Sequence, residues 1–232
     1  MLCLVASSTP LRAVLLDVDG TLIDSNDAQA RSWLDAFEEA HLDVDPGAVR
    51  RLIGKGGDRL LREVADLDID AEPGKTISQR HKAIFAERYL PGLSATRGAR
   101  DLLVWLRSQG AQLVVATSAG EEEMRALLQT AGVDDLIDVF TSSDDADETK
   151  PAPDILGAAL RKSKRSAAES VMIGDTPYDC EAAGRIGLPA IGLRCGGWSS
   201  EELPCESVFD HPADLLANYR ASPLRRLSGV SA

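Results

Sequence analysis

Four short apolar runs without polar alternation punctuate the chain: Ala13 to Leu16, Leu113 to Ala116, Val171 to Ile173 and Ala190 to Leu193. Unbroken runs of this length match strands of a parallel sheet covered on both faces. Between them the spacing changes to that of helices. Ala99, Leu102, Leu103 and Leu106 fall at i, i+3, i+4 and i+7, and so do Met124, Leu127, Leu128 and Ala131. Strands alternating with helices predict a doubly wound α/β core. The alternation fails between Ser25 and Leu93, where Ala30, Trp33, Leu34 and Phe37 form a helical stripe and no convincing strand follows. This predicts a core built from residues 1–24 and 94–232, interrupted by a helical insert over 25–93. Ligands of open α/β sheets bind at the carboxyl ends of the strands, so an insert leaving the first strand there is placed to overhang the ligand site.

At 232 residues the chain has room for one core domain and a modest insert. Its net charge of −12 argues against nucleic acid or an anionic membrane surface as a partner. No apolar run approaches the roughly 18 residues that a membrane span needs. Cys3, Cys180, Cys195 and Cys205 show neither a C-x-x-C pair nor a metal-like spacing with histidine, which predicts reduced thiols and a cytoplasmic setting. The apolar start, Met1 to Ala6, lacks a basic segment ahead of it and reads as a short arm. The tail from Ser222, rich in Ser and Arg, reads as frayed.

The chemistry is concentrated where the predicted strands end. Asp17-Val18-Asp19-Gly20-Thr21 follows the first run, and a period of two sends both carboxylates to one side. Two adjacent anions call for a cation between them or a proton on one. A plain Asp-Gly turn accounts for Gly20 and Asp19 but not for Asp17. Gly174-Asp175-Thr176-Pro177-Tyr178-Asp179 follows the third run, adding Asp175 to the same sheet edge. Such a set of oxygens suits Mg2+. Asp179 reads equally as a helix-starting residue and as part of a metal site. After the second run, Thr117-Ser118-Ala119-Gly120 offers hydroxyls and backbone N–H groups to an anion, or serves as an ordinary helix cap. Lys150 precedes Pro151 and Pro153; alone it would be a solvated lysine.

Taken in order, Asp-x-Asp, Thr, Lys-Pro-x-Pro-Asp and Gly-Asp-x-x-x-Asp resemble the four motifs of the haloacid dehalogenase superfamily, in particular its phosphatases and phosphomutases with an α-helical cap. The similarity runs from about Leu11 to Leu216. It implies a Rossmann-like core with the insert as cap, and a Mg2+-dependent phosphatase that acts on a small phosphorylated metabolite through a phosphoaspartate. By the same resemblance Asp17 is the nucleophile and Asp19 the general acid/base. Asp17, the backbone carbonyl of Asp19 and Asp175 hold the metal, with Asp179 in its outer shell. Thr117, with Ser118 beside it, binds phosphate, and Lys150 offsets charge on nucleophile and phosphoryl group. The alternative activity is a sugar phosphomutase, yet such mutases carry a histidine where this chain has Gln29 and an arginine near Gly57. A dehalogenase would lack Asp19. A phospho-accepting receiver has no cap, and a non-catalytic phosphoester-binding protein would have lost a motif residue.

In the insert, Gly54-Lys55-Gly56-Gly57-Asp58-Arg59 fits neither a P-loop nor a dinucleotide fingerprint. Its glycines would let backbone approach a ligand, with Lys55 as the candidate substrate contact, or else form a helix-to-helix turn with solvated charges. Arg59 reads as solvated. Arg80-His81-Lys82 reads as an exposed helix face, Met124 and Trp105 as core, and Trp198 as a packing residue near the site's rim. Neither the substrate nor the oligomeric state follows from the sequence.

Overall fold

The computed structural model describes residues 9–227. Five parallel strands form its sheet: β1 (Ala13–Leu16), β2 (Gln112–Val115), β3 (Ser170–Gly174), β4 (Ala190–Leu193) and β5 (Ser207–Phe209). They lie in the order β2-β1-β3-β4-β5, so β1 is flanked on both sides. Its register aligns Leu16 with Val115 of β2 and Ile173 of β3, which brings the residues after all three strands to one edge. The short edge strand β5 was not foreseen, because three residues carry no usable periodicity.

Period two divides each central strand between two apolar layers. Val14, Leu16, Leu113, Val115, Val171 and Ile173 face α5 (Ala99–Ser108), α6 (Glu121–Thr130) and α9 (Pro212–Ala217). Ala13, Leu15, Val114, Ala116 and Met172 face α7 (Asp154–Ser163) and α8 (Pro177–Arg185). Helices on both faces explain why the strands read as continuous apolar runs. Leu15 is fully buried at the centre, so Leu15→Ala is expected to lower unfolding free energy by about 2–5 kcal/mol through lost transfer energy and a residual cavity, read as a shifted urea midpoint.

Between β1 and α5 come α1 (Asn26–Glu39), α2 (Pro46–Leu52), α3 (Gly57–Ala65) and α4 (Gly74–Ile84), the last continued by a π-turn over Phe85–Tyr89. These helices bury a cluster of their own, with Trp33, Phe37, Leu60, Leu61, Ile77 and Ile84 at its centre. No described helix is long and apolar enough to cross a membrane.

Two expectations change. The tail from Ser222 to Leu227 is packed: Ser222 and Leu224 are buried, and Leu227 bridges to Leu11. Leu224 gives that segment an apolar anchor that its serines and arginines obscured. Cys180 and Cys205 are paired as a disulfide, their Cα atoms 5.3 Å apart, and of the described cysteines only Cys195 is free. Packing of α8 beside the loop before β5 brings the two together across 25 residues, a proximity that spacing could not reveal. Cys3 and the apolar arm lie outside the described residues, as does the tail beyond Leu227.

Candidate active site

Asp17 stands one residue beyond β1, with its backbone N–H bonded to Ile173 O of β3. The chain then turns sharply. Gly20 has φ +68°, and a Cβ there would collide with Asn26 and Asp175, so the turn requires glycine. This turn brings Thr21 and Asn26 back toward Asp175, where Thr21 Oγ1 donates to one carboxylate oxygen (2.9 Å) and Asn26 Nδ2 to the other (2.7 Å). Neither was singled out from the sequence, although Thr21 closes the first motif.

Lys150 is fully buried, its ammonium 2.6 Å from Asp17 Oδ1 and 2.7 Å from Asp179 Oδ1. Burial works against that charge, but the carboxylates of Asp17 and Asp179 outweigh it and hold the lysine above its ordinary pKa. The helix-starting reading of Asp179 holds. It is the third residue of α8 in a capping box with Thr176, whose Oγ1 donates to Asp179 Oδ2 at 2.7 Å, and it also faces Lys150.

Asp17, Asp175 and Asp179 each place a carboxylate oxygen within 4.8 Å of the others. One ammonium cannot neutralise three buried carboxylates. Desolvation, with the charges of Asp179 and Asp175 added, raises Asp17, while Asp175 is pushed to about 7 by burial and then by Asp179. A buried excess of anionic oxygens is relieved by protons or by a hard cation, and the all-oxygen donor set fits Mg2+.

Asp19 sits on the cavity side of the same turn. Ser25 Oγ donates to its Oδ1 at 2.5 Å and Gln29 Nε2 at 3.1 Å. Burial raises its pKa despite those bonds. Thr117, beyond β2, is buried and its Oγ1 accepts from Ala119 N at 3.2 Å. Ser118 Oγ is buried with no partner among the described residues. Both sit just before the N-terminus of α6, where the helix dipole favours an anion.

These groups open into a cavity of about 650 Å³ between the sheet edge and the inserted helices, lined by Asp17, Asp19, Thr117 and Ser118 from below and by Trp33 and His81 from above. The glycine-rich turn packs its backbone closely against the core. A Cβ on Gly54 would meet Thr176 and one on Gly56 would meet Thr149. Lys55 lines the cavity, but its ammonium bonds both carboxylate oxygens of Glu63 (2.8 and 2.9 Å) and lies over the Tyr178 ring. Arg59 pairs with Glu148 across the same seam. Trp198 is half-buried and packs under the Arg51 guanidinium and against the Tyr178 ring, outside the cavity lining. Met124 is core, whereas Trp105 only borders it.

His81 corrects the sequence reading. It is 5% exposed, stacked on Trp33 with centroids 4.0 Å apart, and it lines the cavity. Burial drops its pKa to about 3, so the ring is neutral. The flanking Arg80 and Lys82 suggested a solvated face, but at this point the helix turns one position inward. Glu123 is a second cavity residue that sequence reasoning missed. It accepts from Gln29 Nε2 at 2.5 Å, and burial followed by the charge of Asp19 raises it to about 7. Three successive glutamates at the start of α6 look like dipole partners, and only the fold shows that the third turns inward.

The model of the haloacid dehalogenase-like hydrolases matches residues 14–193. The chain belongs to that family. It is 32% identical over 215 residues to the phosphoglycolate phosphatase of Rhodospirillum rubrum, an alignment covering 88% of this chain and 89% of that one. It is 26% identical to the validoxylamine A 7'-phosphate phosphatase of Streptomyces hygroscopicus subsp. limoneus, over 78% of this chain and 85% of the relative. Among solved structures, a hydrolase from Pseudomonas syringae superposes with a TM-score of 0.83 at 28% identity, covering 90% of this chain and 97% of that one.

Proposed function

We propose that this family member is a Mg2+-dependent phosphatase that hydrolyses a small phosphorylated metabolite by way of a phosphoaspartate on Asp17. The observation that carries the reading is the convergence of Asp17, Asp175, Asp179 and Lys150 into one buried cluster beneath a cavity into which Asp17 and Asp19 both open. Residues 25–93 act as the cap.

Each residue has a distinct task. Thr117 and Ser118, with backbone N–H groups before α6, seat the phosphoryl oxygens. A carboxylate oxygen of Asp17 attacks phosphorus in line as the bond to the leaving oxygen breaks. Asp19, whose raised pKa favours the protonated form, gives its proton to that departing oxygen. Ionised Asp19 then takes a proton from water, whose oxygen attacks phosphorus and frees Asp17 and inorganic phosphate. Lys150 favours the ionised form of Asp17, against the burial and neighbouring carboxylates that disfavour it, and offsets charge on the equatorial oxygens. Asp17, Asp175 and the Asp19 carbonyl would hold Mg2+, with Asp179 behind them; the cation supplies charge neutralisation for nucleophile and phosphoryl group.

The relatives' names specify two different substrates, so neither transfers to this chain. The test is phosphate release from p-nitrophenyl phosphate. Chelation is expected to lower turnover by more than about a hundredfold, with recovery on adding Mg2+, because several kcal/mol of charge stabilisation are removed. Turnover indifferent to chelator would overturn the metal assignment. With a sugar phosphate as substrate, isomerised product in excess of free phosphate would replace the phosphatase by a mutase.

A further inference from the structure

Lys150 bonds Asp17 and Asp179, but among the described residues no cation bonds Asp175. Its two oxygens are held by neutral donors instead, Oδ1 by Thr21 Oγ1 at 2.9 Å and Oδ2 by Asn26 Nδ2 at 2.7 Å. The surroundings of the Asn26 amide fix which way it faces. Both of its hydrogens meet acceptors, Asp175 Oδ2 and, at 3.4 Å, the Gly196 carbonyl, so nitrogen rather than oxygen meets the carboxylate. Arg50 of α2 donates to the same carbonyl at 2.9 Å and pairs with Asp27, which braces this corner from a second helix. The two oxygens of Asp175 have unlike settings. Oδ2 lies so close to the backbones of Gly20 and Gly196 that a Cβ on either would collide with it. Oδ1 shares the Thr21 hydroxyl with Asp17 Oδ2, which places it on the side of Asp17.

We infer that Asn26 is a positioning residue for the metal: it anchors the rear oxygen of Asp175, so that Oδ1 is presented to a divalent cation shared with Asp17. The inference deepens the function proposed above and rests on its metal assignment. A carboxylate turns through a broad range about its Cβ–Cγ bond. With Oδ2 anchored that turn is stopped, and the ligand is ordered before the ion arrives. Thr21 alone does not suffice, because its hydroxyl has one hydrogen and Asp17 Oδ2 competes for it at 3.5 Å. Asn26 is also the first residue of α1, the helix that opens the insert. The insert therefore supports the metal site from behind as well as overhanging it.

Binding of Mn2+, a spectroscopic stand-in for Mg2+, is followed by electron paramagnetic resonance of the free ion, with folding checked by circular dichroism. Asn26→Ala is expected to raise the dissociation constant about 10–100-fold, the usual cost of losing a hydrogen bond to a ligating carboxylate. Asn26→Leu, close to asparagine in shape but without polar side-chain atoms, is expected to weaken binding to the same extent without opening a cavity. In both variants, turnover of p-nitrophenyl phosphate should recover most of its normal rate once Mg2+ is raised in proportion to the lost affinity, which a damaged fold would not allow. An unchanged dissociation constant in the folded variants, or turnover that stays low at saturating metal, overturns the inference and leaves the phosphatase reading standing. If the unchanged protein binds no Mn2+, the metal assignment falls and this inference with it.

Discussion

Asp17→Asn is expected to abolish phosphate release, with a loss on the order of 10⁴-fold or more, while the protein stays folded. An amide oxygen lacks the charge to displace an alkoxide from phosphorus, and nucleophile removals are among the largest single-residue losses known in covalent catalysis. Stability is expected to behave differently. Burial and the neighbouring carboxylates of Asp179 and Asp175 disfavour the ionised form of Asp17, and Lys150 recovers only part of that cost. A neutral side chain of the same shape therefore relieves repulsion, and Lys150 keeps Asp179 as its partner at 2.7 Å. Thermal unfolding without metal should show a midpoint at or above that of the unchanged protein. Mass spectrometry of an acid-quenched reaction should find a phosphoryl adduct on the peptide containing Asp17 only in the unchanged protein. Turnover within tenfold of normal would remove Asp17 as nucleophile.

The sequence exposes the part of this site that is built on strand ends. Strand period and a buried sheet together place Asp17, Thr117 and Asp175 along one edge, and the register of β1 with β2 and β3 aligns them as expected. The groups that tune those carboxylates were much harder to see. Asn26 and Gln29 lie on one helix that returns over the sheet edge, and a polar residue on an amphipathic helix gives no sign of whether it meets water or a buried carboxylate. His81 and Glu123 were obscured by charged neighbours, since local polarity reports the average of a face and not the one position that turns inward. The glycine-rich turn suggested a ligand because close backbone approach looks the same in sequence whatever the backbone approaches. Here it is Thr149 and Thr176 of the core.

Lys150→Met is expected to damage stability and activity together, with a pH signature that Asp17→Asn does not share. The methionine is of similar length and apolar, so it fills the space without a charge. Asp17 and Asp179 then face each other across it with no cation between them. Removing one partner of a buried ion pair costs about 3–5 kcal/mol, most of it from the charge left behind. Here two carboxylates share the loss. The sign follows from which form each state prefers. With the ammonium gone, burial and the neighbouring carboxylates hold the Asp17 carboxyl further above its unfolded value, so the folded state keeps a proton that the unfolded state releases. The deficit is therefore smallest in mildly acidic solution and grows as pH rises through the shifted range. In the unchanged protein the ammonium is already present to meet ionised Asp17, and that dependence is weaker. Urea midpoints in chelator at acidic and alkaline pH test this directly: the variant should converge on the unchanged protein at the acidic end and diverge at the alkaline end. Magnesium should recover part of the alkaline deficit, because a divalent cation among Asp17, Asp175 and Asp179 replaces some of the missing charge. Turnover should still fall by about 10²–10³-fold with Mg2+ present, the usual loss of one fixed charge aimed at a developing anion. A deficit independent of pH would mean that Lys150 acts by packing alone, and the division of labour between lysine and metal would have to be redrawn.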